Sequence, residues 1–164
     1  MKCDSDDKNN RPKKLMSLCD SIKKIVHKFI KHGNSTNTDK TQKIDKIDET
    51  MKNELNELLN DPNWRMRCTV AELGYSLDKL VNDSSWCVRR EVARQGYGLD
   101  VLIYDKSWSV RRAVAERGFG LDKLINDPNW QVRYAVANQG YGLSKLIADP
   151  NKMVQDKANS QLKK

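Results

Sequence analysis

Between residues 61 and 148 the apolar and polar positions repeat at the same offsets four times, with a period of 22 residues. The units read DPNWRMRCTVAELGYSLDKLVN from Asp61, DSSWCVRREVARQGYGLDVLIY from Asp83, DKSWSVRRAVAERGFGLDKLIN from Asp105 and DPNWQVRYAVANQGYGLSKLIA from Asp127. A truncated fifth, DPNKMVQDKANS, starts at Asp149. A short fixed period of this kind marks a solenoid, because a unit this small cannot bury its apolar face alone and must stack on neighbours.

Within a unit the punctuation predicts two helices. Each unit opens on Asp, followed in three of five cases by Pro62, Pro128 or Pro150. Asp accepts hydrogen bonds from the free amides of a first helical turn, and Pro loses nothing at the first helical position. A helix is therefore expected to start at Asp61, Asp83, Asp105, Asp127 and Asp149, and to end at Gly74, Gly96, Gly118 and Gly140. Tyr75, Tyr97, Phe119 and Tyr141 come next, and then an L-x-x-L-[VI] run long enough for one short helix or 3₁₀ turn. On the long helix, Val88, Val92 and Ala93 with Trp86, and Val110, Val114 and Ala115 with Trp108, project onto one arc and predict the core.

An arginine interrupts that arc in every unit. Arg67, Arg89, Arg111 and Arg133 lie six residues after the opening Asp, and a guanidinium there must be paired. The acid that recurs at a fixed offset is the opening Asp of the same or an adjacent unit. Asp61, Asp83, Asp105 and Asp127 with these arginines are thus expected to form a structural ladder, with direct ligand contact by the arginines as the competing role.

The run D-x-x-x-x-V-R-x-x-[VA]-A, present as DSSWCVRREVA, DKSWSVRRAVA and DPNWQVRYAVA, resembles the second helix of HEAT repeats. The 22-residue period with its short second element is similar to the leucine-rich-repeat-variant type of short α-solenoid. The resemblance covers residues 61–160 and implies an all-α fold, a short right-handed α-solenoid, with partners that differ widely among such proteins. The iron–sulfur association of the variant family needs clustered cysteines, and this sequence departs from it.

Both ends of the array carry capping signals. In the fifth unit Lys152 replaces Trp, Gln155 replaces the ladder arginine and Asn159 replaces the core alanine, giving a polar C-terminal capping half-repeat over residues 149–164. Residues 43–60 place Ile44, Ile47, Met51, Leu55 and Leu58 at helical spacing and predict an N-terminal capping helix. Residues 33–42 read as a polar linker and residues 1–10 as a disordered start. Residues 11–32 read as a basic amphipathic helix whose stripe includes Leu18, Ile22, Ile25 and Phe29. That stripe can dock on the solenoid, bind a partner as a second binding surface, or lie on an anionic membrane.

Charge and cysteines narrow the chemistry only slightly. The net charge of +8 has no single origin, since residues 1–60 and residues 61–148 each hold 13 Lys/Arg against 10 Asp/Glu. Cys3, Cys19, Cys68 and Cys87 form no C-x-x-C pair and the chain has only His27 and His32, so free thiols are expected and no metal or other cofactor. With no 18-residue apolar run and no signal-peptide pattern, a cytoplasmic protein is expected.

The outward edge of the long helices varies between units, as a partner-reading surface would. It carries Arg90, Arg94, Arg112, Arg117 and Tyr134, against a plain solvated face balanced by Glu72, Glu91 and Glu116. No catalytic constellation or Gly-rich phosphate loop accompanies them. The expectation is a non-enzymatic binding module for an acidic protein surface. The alternative is a nucleic-acid binder using the same arginines and the basic N-terminal helix. A HEAT-like DNA glycosylase is a further alternative that the resemblance implies, and its chemistry would want a carboxylate in an aromatic pocket.

Overall fold

The computed structural model describes residues 49–163, which form ten helices and no strand. The expectations for residues 1–10, 11–32 and 33–42, for Ile44 and Ile47, and for Leu18, Ile22, Ile25 and Phe29 lie outside the described residues. The chain divides into two compact units, Met1–Ser76 and Leu77–Lys164.

The first unit contains α1 (Glu49–Leu59) and α2 (Trp64–Glu72), packed on each other. Leu55 and Leu58 of α1, at the predicted capping positions, are fully buried, as are Val70 and Ala71 of α2. The hydroxyl of Tyr75 donates to Asn56 Oδ1 at 3.2 Å, fastening the turn after α2 to α1.

The second unit is a short α-solenoid. Long helices α4 (Trp86–Gln95), α6 (Trp108–Glu116), α8 (Trp130–Asn138) and α10 (Lys152–Leu162) pack in sequence, each on the next. They alternate with four-residue helices α3 (Leu77–Leu80), α5 (Leu99–Leu102), α7 (Leu121–Leu124) and α9 (Leu143–Leu146). The predicted arc is the core: Val88, Val92, Ala93, Val110, Val114, Ala115, Val132, Val136 and Ala137 are all fully buried. Small Ala at the contact lets neighbouring helices approach closely, and the Val residues fill the space beside it. Leu80, Leu102, Leu124 and Leu146 of the short helices close the core from the other side.

Two expectations are corrected. The opening Asp does not cap the long helix and Pro is not its first residue. Helix α2 starts at Trp64, and its N-cap is Asn63, whose side chain accepts from the Arg65 N–H at 3.0 Å. Asn129 and Asn151 cap α8 and α10 in the same way. The Asp instead heads an Asx turn, as where Asp105 Oδ1 accepts the Ser107 N–H at 2.8 Å. The later start also displaces Trp. Placed at the first helical position rather than within the helix, Trp86 and Trp108 are only half-buried and Trp130 is exposed, so the tryptophans border the core instead of filling it.

Helix ends follow the expected glycine punctuation. Tyr97 N–H bonds to the Val92 carbonyl and Gly96 N–H to that of Ala93, with Gly96 left-handed at φ 83, a Schellman motif that recurs at Gly118 and Gly140. The second glycine of each turn has a different reason. At Gly120 (φ +60) an added Cβ would lie 2.1 Å from Ile103 Cδ1 of the preceding repeat, and at Gly142 (φ +59) 2.2 Å from Ile125 Cδ1. These glycines let one repeat close over the aliphatic end of the one before it.

Gly120→Ala is therefore expected to cost about 2–3 kcal/mol, combining left-handed strain with displacement of a packed Ile. Gly140→Ala, equally left-handed but with nothing within 4 Å of an added Cβ, should cost about 1 kcal/mol. Chemical denaturation of the two variants measures the difference.

Candidate functional site

The arginines on the core arc are paired through two kinds of contact. Arg89 donates from Nε to Asp105 Oδ2 at 2.6 Å and from Nη2 to Asp105 Oδ1 at 3.0 Å, a two-pronged bond to the opening Asp of the next repeat. Its Nη1 donates to the main-chain carbonyl of Asp83, the opening Asp of its own repeat, at 2.6 Å. Arg111 joins Asp127 and the Asp105 carbonyl in the same way, and Arg133 joins Asp149 and the Asp127 carbonyl. Within the first unit, Arg67 donates to the Asp61 carbonyl at 2.7 Å. Gln155, standing where a fifth ladder arginine would be, keeps the main-chain half of the pattern by donating to the Asp149 carbonyl at 2.6 Å.

The ladder is buried, with the Arg89 and Asp105 side chains only 8% and 6% exposed. Its hydrogen bonds to Asp105 raise Arg89 above the ordinary guanidinium range, against the opposing effect of burial. Arg111 and Arg133 are raised by the same cause. At Asp149 burial alone would raise the carboxyl, but bonds from Arg133 and from the Asn151 N–H, with the Arg133 charge, hold it below the usual carboxylate range. Arg89, Arg111 and Arg133 thus each join their own repeat to the next.

Two further threads run between repeats. Gln139 Nε2 donates to the Glu116 carbonyl at 2.9 Å, and Gln161 Nε2 to that of Asn138 at 3.1 Å. Lys123 Nζ donates to the Tyr104 hydroxyl at 2.7 Å, and Lys145 Nζ to Asn126 Oδ1. Their sequence signal was the recurrence of Gln95, Gln139 and Gln161 at one offset and of Lys79, Lys123 and Lys145 at another. A single unit gives no hint of them because both partners lie in different repeats.

The outward edge is a face of α4, α6 and α8 with aromatic and cationic rows. Trp86, Arg90 and Arg94 follow one another at four-residue steps, as do Trp108, Arg112 and Glu116, and Trp130, Tyr134 and Asn138. The Arg90 guanidinium lies over the Trp86 ring at 5.2 Å, its Nε is buried without a hydrogen-bond partner, and it forms no ion pair among the described residues. Arg112 Nε donates to Glu116 at 2.7 Å, and Arg94 lies 3.5 Å from Glu91, although both arginines keep about half their side chains in solvent. Tyr134 is half-buried beneath Lys157, whose ammonium is 5.8 Å from its ring. Arg117 is exposed but stands apart, at the offset where Gln139 and Gln161 bridge repeats.

Cysteine behaviour departs from expectation. Cys68 is a buried thiol, whereas Cys87 is disulfide-bonded. Spacing along the chain carries no information on which thiols meet, so thiol state no longer argues for a reducing compartment. Among the described residues there is no group of three or more His, Cys, Asp and Glu side chains able to hold a metal ion. No described helix is long and apolar enough to cross a membrane. No family model, curated protein or solved structure matches this chain.

Arg111→Ala is expected to lose about 3 kcal/mol or more of stability, since it strands Asp127 in the core, while Arg112→Ala on the exposed edge should lose under about 1 kcal/mol. Thermal melts of the two side by side decide between a ladder and a surface role. The depressed Asp149 carboxyl contributes to the acid limb. Its folded value lies below its unfolded value, so its contribution is complete above about pH 4 and is lost as pH falls through the folded value. The melting-temperature gap between wild type and Asp149→Asn should accordingly be constant from pH 7 to 5 and narrow below pH 4.

Proposed function

We propose that this protein is a non-enzymatic binding module, a HEAT-like array of short units that engages an acidic protein surface through the outward face of α4, α6 and α8. The observation that carries the reading is Arg90. Its guanidinium is oriented on the Trp86 ring and has no carboxylate partner among the described residues, so a cation is held ready for a partner's anion. Arg112 and Arg94 extend the row, each sharing a glutamate but half-exposed, as interface cations at a polar rim are. The aromatic neighbours Trp108, Trp130 and Tyr134 supply the rigid contact area that protein interfaces favour.

The exposure of Trp130 supports a second reading, in which bases stack on the aromatic row and the arginines follow phosphates. Titration of the full chain with fluorescein-labelled oligoglutamate and with a labelled single-stranded oligonucleotide, each over a salt series, separates the two. The protein reading expects oligoglutamate to bind more tightly at equal charge. The nucleic-acid reading expects the oligonucleotide to win, with log K falling linearly with log salt at about 0.7 per phosphate neutralised.

For either ligand, Arg90→Gln with Arg112→Gln should weaken binding at least tenfold, about 1.4 kcal/mol, with melting nearly unchanged. Gln keeps the stem that covers Trp86 and removes only the charge. Undiminished binding by the folded double variant would remove this face from the proposal.

A further inference from the structure

The second repeat departs from the others at a place away from the arginine face. On the short helices, Lys79, Lys123 and Lys145 share one offset, and Asn82, Asn126 and Ala148 share another. In the second repeat these two positions hold Val101 and Tyr104, which are 54% and 69% exposed. Where the other repeats carry Lys at the first position and Asn or Ala at the second, this repeat therefore presents two large apolar side chains together on one turn. They border an open concavity of about 510 Å³, whose wall also includes Val81 of the preceding repeat. That size lies within the range of about 300–1,000 Å³ typical of ligand sites.

The charges around this concavity are unequal in their freedom. Asp105 is held by the two-pronged bond from Arg89 and by the Ser107 N–H, and Asp83 accepts the Ser85 N–H at 2.8 Å. Lys106, also in the wall, makes no ion pair or hydrogen bond among the described residues. Lys123 lies just outside the lining; its ammonium bonds to the Tyr104 hydroxyl and stands 5.2 Å from that ring, with Asp122 near enough to act on its charge. Asp100 and Asp122, the neighbouring acids of the short helices, do not line it. Arg89 thus offsets Asp105, and Lys106 is the lining cation that no partner among the described residues holds.

We propose that this concavity is an anchor site for a short acidic peptide segment of a partner protein, taking one large apolar side chain against Val81, Val101 and Tyr104 while flanking carboxylates meet Lys106 and Lys123. An apolar wall with few placed polar groups is how a protein recognises a linear segment. The basic rim selects an acidic one and disfavours a basic one. The site is independent of the arginine face.

The test uses substitutions that the other repeats already carry. Val101→Lys with Tyr104→Asn restores the common pattern, and Asn at 104 can accept from Lys123 as Asn126 accepts from Lys145. This variant is therefore expected to melt like the wild type. The probes are labelled hexapeptides with four glutamates flanking a central Leu-Phe, Leu-Trp or Gly-Gly pair, and a lysine-flanked Leu-Phe control. Binding is followed by anisotropy and by amide shifts of the full chain. The expected result is saturable binding of a glutamate-flanked apolar peptide, with shifts centred on residues 101–106. The double variant should lose affinity at least tenfold, and Arg90→Gln with Arg112→Gln should leave it unchanged. The proposal is overturned if neither apolar acidic peptide saturates at millimolar concentration, if the Gly-Gly or lysine-flanked peptide binds as well, or if the double variant binds like the wild type. Shifts centred on α4 and α6 at Arg90 and Arg112 would also overturn it, while supporting the arginine face.

Discussion

The Asp–Arg ladder is the contact on which the repeat depends, because Asp105 and Asp127 each serve two repeats at once. In each, the carboxylate receives the arginine of the repeat before, the carbonyl receives the arginine of its own repeat, and Oδ1 also holds the Asx turn that starts the next long helix. Arg89, Asp105, Arg111, Asp127, Arg133 and Asp149 thereby form one continuous thread through the second unit. Buried ion pairs seldom add net stability over well-packed apolar groups. Their value here is register: Val and Ala surfaces slide past one another at little cost, whereas a guanidinium with fixed prongs accepts one partner at one distance. A slip of even one residue would strand both charges in the core.

Apolar closeness follows from that register. With the helices held at a set offset, Ala93, Ala115 and Ala137 occupy the tight contact, and Gly98, Gly120 and Gly142 bring each turn down on Val81, Ile103 and Ile125 of the repeat before. The glutamine and lysine threads then tie the exposed margins, where water competes and each bond contributes little alone. The same repetition explains the ending of the array. Gln155 satisfies the Asp149 carbonyl without bringing a charge that would need a further repeat, and Asn159 is exposed where the other repeats bury Ala.

A surface bound by few stacking constraints is free to vary, and the variation is where recognition can reside. Position by position, the core and the ladder are nearly constant, while the outward edge runs through Cys68, Arg90, Arg112 and Tyr134. The short-helix margin runs through Lys79, Val101, Lys123 and Lys145. Arg90 on Trp86 and Val101 beside Tyr104 are departures of opposite chemistry, one cationic and one apolar. Each is held by neighbours that would be present without it.

The helical architecture, the unit length, the valine and alanine core and the need of the ladder arginines for a recurring acid were all legible from the chain alone. Periodicity and punctuation are local properties that four copies average into a clear signal. Three things were decided only in three dimensions. The helix start moved from Asp to Trp because the Asp carboxylate folds the residues after it into an Asx turn, at Asp61 as at Asp105. The tryptophans left the core for its border as a consequence of that shift. The surface arginines, alike in sequence, were divided by their surroundings into Arg112 and Arg94 beside glutamates and Arg90 without one, because pairing depends on side-chain reach across a folded face. Sequence determined which residues repeat, and the stacking of those repeats decided what each one touches.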